Sequence, residues 1–233
     1  RQFKMAMTTC EKILAKNSGR ASVSPGDIVV ADVDLLMINE ITGPLAVRAF
    51  EGMGFDKVWN PEKVVAVLDH AIPAVDVRSA SVMKKMREFA RTHSVKNFYG
   101  VGGEGGIAHQ LLVEKGLVGP GMLVAGADSH TCTAGAVSAL GVGVGSTEAA
   151  AILATGKLWF RVPETVKIEV TGHLRPPVMA KDLILSIIGS VRADGATYKA
   201  IEYCGEAVSK ISIDGRMTIA NMSVEMGAKT GIV

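Results

Sequence analysis

The chain has 233 residues, 48% hydrophobic and 21% charged, which is enough to bury a sizeable core as one large α/β domain or two small ones. A formal net charge of +2 gives no polybasic surface for nucleic acid or membrane. Cys10, Cys132 and Cys204 are an odd number, widely spaced and without a C-x-x-C, which argues against a disulfide scaffold and points to a reducing, cytoplasmic setting.

Arg1-Gln2-Phe3-Lys4 leads into an amphipathic helix over residues 9–15 rather than the apolar core of a secretory signal, and Asn17-Ser18-Gly19 stops that helix. Ser24-Pro25-Gly26-Asp27 reads as a turn and Ile28-Val29-Val30-Ala31 as a first strand. A helix is expected from Thr42-Gly43-Pro44, with proline in its first turn. Residues 64–68 read as a second strand, and 79–92 as a charged helix with Val82, Met86 and Phe89 on one face. Asn97-Phe98-Tyr99 is the third strand, 107–115 a helix and 122–125 the fourth strand.

Residues 134–156 have the length of a membrane span, but they are rich in Gly, Ala and Ser and carry Glu148, so a close-packed soluble interior is expected. Gly141-Val142-Gly143-Val144-Gly145-Ser146 reads as tight helix or loop packing, with Ser146 capping the next helix. Residues 165–170 alternate as a half-exposed strand does. A helix over 180–192, a short strand at 211–213 and a helix over 217–226 follow. Strands alternating with helices imply an α/β fold with a mostly parallel sheet covered on both faces. The change in strand character sets a boundary near Pro163, giving a first α/β domain over 1–162 and the start of a second over 163–233. The chain opens without Met and closes soon after a polar cluster, so a fragment is expected.

Ala127-Asp128-Ser129-His130-Thr131 is the most informative stretch, because it sets an acid, a hydroxyl and an imidazole directly after a buried strand. Polar residues at a strand's carboxyl end line the crevice of an open α/β sheet. Asp69-His70 follows another apolar strand, and His109 follows Gly100-Val101-Gly102-Gly103-Glu104-Gly105-Gly106. Three of the five histidines at such junctions point to a proton-handling site. The bland readings are helix N-caps for Asp128 and Ser129, and a capping turn for Asp69-His70. The glycine run formally matches G-x-G-x-x-G, which would make the chain a nicotinamide-dependent oxidoreductase, but Glu104 would set a negative charge beside the pyrophosphate. A non-catalytic scaffold is a third reading. His93 and His173 are expected at the solvent surface, and no complete metal site assembles from local motifs. On one helix, Asn221 and Glu225 share a face at i and i+4.

Asp69-His70-Ala71-Ile72-Pro73, Gly105-Gly106-Ile107-Ala108-His109-Gln110, Asp128-Ser129-His130-Thr131 and the 220–228 segment ANMSVEMGA together resemble the aconitase superfamily, in order and over nearly the whole chain. The chain looks most similar to the large subunits of the isopropylmalate-dehydratase branch, with homoaconitase and methylmalate dehydratase as relatives. The resemblance implies a three-layer α/β/α fold and a hydro-lyase that moves a hydroxyl between adjacent carbons of a 2-hydroxy-dicarboxylate such as isopropylmalate, in leucine biosynthesis. It implies a [4Fe-4S] cluster acting as Lewis acid, and a small subunit or swivelling domain that supplies the general base. Asp69 and His70 would protonate the departing hydroxyl, His109 would pair with Asp128, and His130 with Glu225. Ser129 would bind substrate and Asn221 would lie near the cluster. The family's cluster cysteines match none of Cys10, Cys132 and Cys204 and are expected beyond residue 233, so the fragment alone would bind no cluster. Aconitase itself has a substrate-contacting glutamine in the segment where this chain has Pro44, which favours the isopropylmalate-type branch.

Overall fold

The computed structural model describes residues 6–102 and 104–233. The reading of Arg1 to Lys4 therefore lies outside the described residues, as does Gly103 of the glycine run. At the centre is a five-stranded, all-parallel sheet of β2 (Leu35–Asn39), β3 (Val64–Val67), β4 (Asn97–Tyr99), β5 (Leu123–Gly126) and β6 (Leu140–Gly143), in the order β4-β3-β2-β5-β6. From β2 the chain winds outward through β3 to β4, then returns to lay β5 on the other side of β2. The order thus reverses between β2 and β5, and in such sheets the crevice beyond that switch point is where ligands bind.

Alternate residues of the buried strands serve opposite layers. Leu36, Ile38, Val64 and Ala66 pack into the core under α1 (Thr9–Asn17), α2 (Gly43–Gly52), α3 (Val77–Thr92) and α5 (Ser146–Thr155). Leu35, Met37, Val65, Val67 and Val124 face α4 (Ala108–Glu114) and a 3₁₀ segment, Ser129–Val137, on the other side. Phe50 of α2 is fully buried and meets Phe89 of α3 edge-on, with ring centroids 6.4 Å apart.

Two smaller sheets flank this layer. β1 (Ile28–Asp32) pairs antiparallel with β7 (Lys157–Arg161). A separate parallel sheet of β8 (Thr165–Glu169), β9 (Ala200–Cys204) and β10 (Thr230–Ile232) runs in the order β10-β9-β8. It is covered by α6 (Ala180–Val191), the one-turn α7 (Glu206–Ser209), α8 (Ile213–Asn221) and a 3₁₀ turn, Met222–Met226. At one point this region meets the five-stranded one through bare backbone: a Cβ on Gly135 would lie 1.7 Å from the Gly231 carbonyl oxygen, and the Val233 amide donates to the Gly135 carbonyl at 2.9 Å.

Several expectations change here. Leu35–Asn39, the central strand of the main sheet, is not anticipated from the sequence, nor are β6, β7, β9 and β10. The Gly141–Gly143 segment is strand rather than helix or loop packing, because its missing side chains let the Thr131 carbonyl and Ser129 backbone approach. Gly145, not Ser146, is the N-cap of α5. Residues 211–213 form no strand, since the Ser212 hydroxyl accepts from the Gly215 amide and starts α8. Residues 134–156 break into 3₁₀ segment, strand and helix, and no helix among the described residues is long and apolar enough to cross a membrane.

Candidate functional site

The chain past β2, β3 and β5, and the start of α4 after β4, carries the polar residues, and they meet over the switch point. Asp128, two residues after β5, is the centre. Its Oδ1 lies 3.2 Å from Nε2 of His109 and 3.7 Å from Nδ1 of His130, and accepts the His130 backbone amide at 2.8 Å. Its Oδ2 lies 3.8 Å from Nε2 of His70 and accepts from the Asn39 side-chain amide at 3.3 Å. The expected N-cap reading of Asp128 thus holds together with a site geometry, because one oxygen caps the 3₁₀ segment while both face imidazoles. The hydrogen bond from His109, opposed by burial and helped by the His130 amide, lowers the Asp128 carboxyl to about 2.

Asp69 and His70 do contact each other, although they are sequence neighbours. Oδ1 of Asp69 lies 2.7 Å from Nδ1 of His70. Its Oδ2 accepts the Ala108 amide at 2.7 Å, which ties the end of β3 to the start of α4 and so to His109. Burial opposes charging of His70, but the hydrogen bond and charge of Asp69, with Glu40 and Asp128 behind them, outweigh it and raise its pKa above the usual imidazole value. Because Nδ1 is engaged by Asp69, Nε2 is the nitrogen that faces the cleft.

On the far side, Nε2 of His130 lies 3.4 Å from Oε1 of Glu225, and the Ser129 hydroxyl is 3.3 Å from Nδ1 of His130. The Asn221 amide donates to the Thr133 hydroxyl at 2.9 Å. α8 ends at Asn221 and the chain tightens to 3₁₀ from Met222, so the two residues do not sit on one continuous helix. Both still turn toward the same 3₁₀ segment. A pocket of about 520 Å³ adjoins this group, lined by His109, Thr133, Lys181, Met217 and Asn221 but not by His70, Asp128, His130 or Glu225.

His173 is exposed as expected, but His93 is half-buried. It packs edge-on to Phe50 at 5.4 Å and against Phe89 at 4.8 Å, and burial lowers its pKa. Asn39 and Glu40 belong to the site and were missed, because β2 was missed. Asp-Val-Asp at 32–34 offers no glycine or proline to separate β1 from the next strand, so the polar pair closing that strand drew no notice. The glycine run has another occupation than a pyrophosphate: Asp69 already takes the amide at the start of α4, and a Cβ on Gly105 would lie 2.5 Å from the Gly100 carbonyl oxygen.

The cysteines do not supply a cluster. Cys10 lies on α1, Cys132 in the 3₁₀ segment and Cys204 on β9. Burial pushes the Cys10 and Cys132 thiols up to about 12, whereas a metal-bound cysteine must be a thiolate. Cys132 donates to the Asn221 carbonyl at 3.3 Å.

A doubly wound sheet with imidazoles and carboxylates converging at its switch point defines an α/β protein with an acid–base cleft. Comparison with known proteins narrows this. The model described as "Aconitase family (aconitate hydratase)" matches residues 11–233, and the chain belongs to the aconitase family. It is 52% identical over 229 residues to the probable 3-isopropylmalate dehydratase large subunit of Methanothermobacter thermautotrophicus, covering 98% of this chain and 54% of that protein. The 3-isopropylmalate dehydratase large subunit of Aquifex aeolicus is 50% identical over 229 residues, covering 98% and 52%. The chain spans about half the length of the curated relatives it matches.

Proposed function

We propose that this chain carries the proton-handling side of an isopropylmalate dehydratase-type site, a hydro-lyase acting on 2-hydroxy-dicarboxylates. The observation that carries the reading is the convergence on Asp128 of His70, His109 and His130, residues from three separate parts of the sequence. In the first half-reaction, protonated His70 gives the proton on Nε2 to the departing hydroxyl, which leaves as water. The electrons of the adjacent C–H bond form the alkene, and a base outside these residues takes that proton. Rehydration runs the same steps in reverse at the neighbouring carbon.

Asp69 holds His70 with Nε2 toward the cleft and favours its charged form. Asp128 and Glu225 orient His109 and His130 across the cleft, and the exposed Ser129 hydroxyl is free to bind a substrate carboxylate. A [4Fe-4S] cluster, which the relatives support, would have to take its cysteines from outside these three, with Asn221 beside it. The site's remaining wall and the substrate side-chain pocket belong to a small-subunit partner. In this reading the protein works in the cytoplasm, where buried free thiols such as Cys10 and Cys132 persist. The chain divides near Pro163 into a first α/β domain and the beginning of a second.

The test uses full-length, iron-loaded protein with its small subunit. Isopropylmalate should yield a conjugated alkene, followed by its ultraviolet absorbance. Absence of alkene from isopropylmalate while a homoaconitate-type or methylmalate-type substrate reacts would move the protein to another branch. Absence from all three would sink the reading.

A further inference from the structure

The two residues that end β2 have no part in the reading above, yet they touch both halves of the cleft. β2 lies between β3 and β5, so its carboxyl end stands between the Asp69-His70 and Asp128 segments. Glu40 is 1% exposed. Its Oε1 accepts the backbone amides of His70 at 2.6 Å and Ala71 at 2.7 Å, and its Oε2 accepts that of Asp69 at 3.1 Å. One buried carboxylate thus gathers three consecutive amides of the segment that presents His70. On the other side, Asn39 donates to Asp128 and accepts the Ile41 and Thr42 amides at 3.0 and 3.1 Å, which fixes where Glu40 begins.

A buried acid usually answers to a cation, a metal or a structural turn. No lysine or arginine pairs with Glu40 among the described residues. Oε1 is spent on two amides and Oε2 on a third, so little is left for an ion, although Glu40, Asp69 and His70 stand close enough to suggest one. A helix cap or turn would need such a carboxylate near its own sequence, but Glu40 reaches 29 to 31 residues ahead. What it does reach is the backbone on either side of the imidazole that faces the cleft.

We propose that Glu40 is a positioning residue for His70: its carboxylate fixes the Asp69–His70–Ala71 backbone so that Nε2 faces the cleft. This rests on the proton-donor role proposed for His70, and it predicts a behaviour that a merely structural acid would not show. The charges facing His70 are Asp69 on its own segment, Glu40 from the end of β2 and Asp128 from the end of β5. Of these only Glu40 holds backbone on both sides of the ring, so removing its charge should act on position and titration together.

The experiment compares wild type, Glu40→Gln and Glu40→Asp in the full-length protein. Histidine ring NMR is recorded on the metal-free form, and kcat and KM on the iron-loaded enzyme with its small subunit. The His70 signal is assigned by its loss in His70→Asn, and exposed His173 serves as an internal reference. Glu40→Gln should lower the His70 titration midpoint, leave His173 unmoved and cut kcat by about 10²-fold with little change in KM. Glu40→Asp keeps the charge one methylene further back, so its midpoint should lie nearer wild type while kcat stays reduced. If Glu40→Gln does not fold, Glu40→Asp decides: a reduced kcat with little change in KM supports the proposal, and a raised KM with wild-type kcat overturns it. A wild-type His70 titration in folded Glu40→Gln overturns it, whatever happens to melting temperature or turnover. So does a wild-type kcat. If wild type itself shows no hydro-lyase activity, the functional reading fails, and the titration still tests whether Glu40 controls His70.

Discussion

The two sides of the cleft are built differently. On the His70 side, imidazole and acid are 2.7 Å apart, Asp69 is 7% exposed, and the backbone beneath them is bonded to Glu40. On the His130 side the pair is 3.4 Å apart and Glu225 is 53% exposed, carried on a 3₁₀ turn from the other region of the molecule. The first side is rigid because strand ends of one sheet make it; the second depends on how two regions dock. A group that must deliver a proton at one atom belongs on the rigid side, and a group that answers to an incoming ligand can sit on the open one.

That contrast is open to direct attack. His70→Asn keeps a hydrogen-bonding side chain but removes the transferable proton, and should lower kcat of the full enzyme by about 10²–10⁴-fold. His173→Asn, at an exposed position, is the control. Near-wild-type turnover in the first variant would leave the rigid side without its function.

Asp128→Asn probes the hub. The Asp128 carboxyl is lowered from 3.8 to about 2, so the charged form is favoured by folding. The stabilisation is complete above pH 4 and fades as pH falls toward 2. Allowing for solvent in the cleft, roughly 1–2 kcal/mol is at stake. Thermal melts should show the wild type losing its advantage over Asp128→Asn across that window, and a constant gap would contradict it.

His93 and His70 should respond to pH in opposite senses. His93 has a lowered pKa from burial, so its neutral form stabilises the fold fully above the ordinary value of 6.5, and that contribution declines below it. His70 is raised, so its contribution is whole below 6.5 and lost as pH climbs through the folded value. His93→Asn should therefore cost about 1 kcal/mol, with a larger deficit in melts at about pH 8 than at about pH 5, and leave turnover alone. The smallest stability effect is expected for Glu225→Gln, below about 1 kcal/mol, because an exposed pair contributes little. A large fall in melting temperature there would mean the open side is more firmly built than its exposure indicates.

Much of this site could be read directly from sequence, because acid–imidazole pairs after apolar runs announce strand ends. Asp69, His70, Asp128 and His130 all fall at such places, and His109 opens a helix that was also foreseen. Asn39 and Glu40 escaped because the strand that leads to them, Leu-Leu-Met-Ile-Asn with Asn39 its last residue, begins three residues after β1 ends and joins a different sheet. Nothing in local pattern tells one long strand from two that diverge. β9 and β10 were lost for a related reason: Thr230-Gly231-Ile232 is too short to show a period and is strand only because β9 lies beside it. His93 misled because a histidine among charged neighbours looks solvated until two phenylalanines are found against it.

The contact between Gly135 and Gly231 gives the cleft an unusual dependency. Where two regions meet through side chains, a change on one surface can be absorbed by a rotamer on the other. Here main chain rests on main chain, with a Cβ on Gly135 only 1.7 Å from the Gly231 carbonyl oxygen. Such a joint has no slack. A methyl on Gly135 would therefore have to push β10 away from the 3₁₀ segment that also carries His130, at a place that holds no functional group.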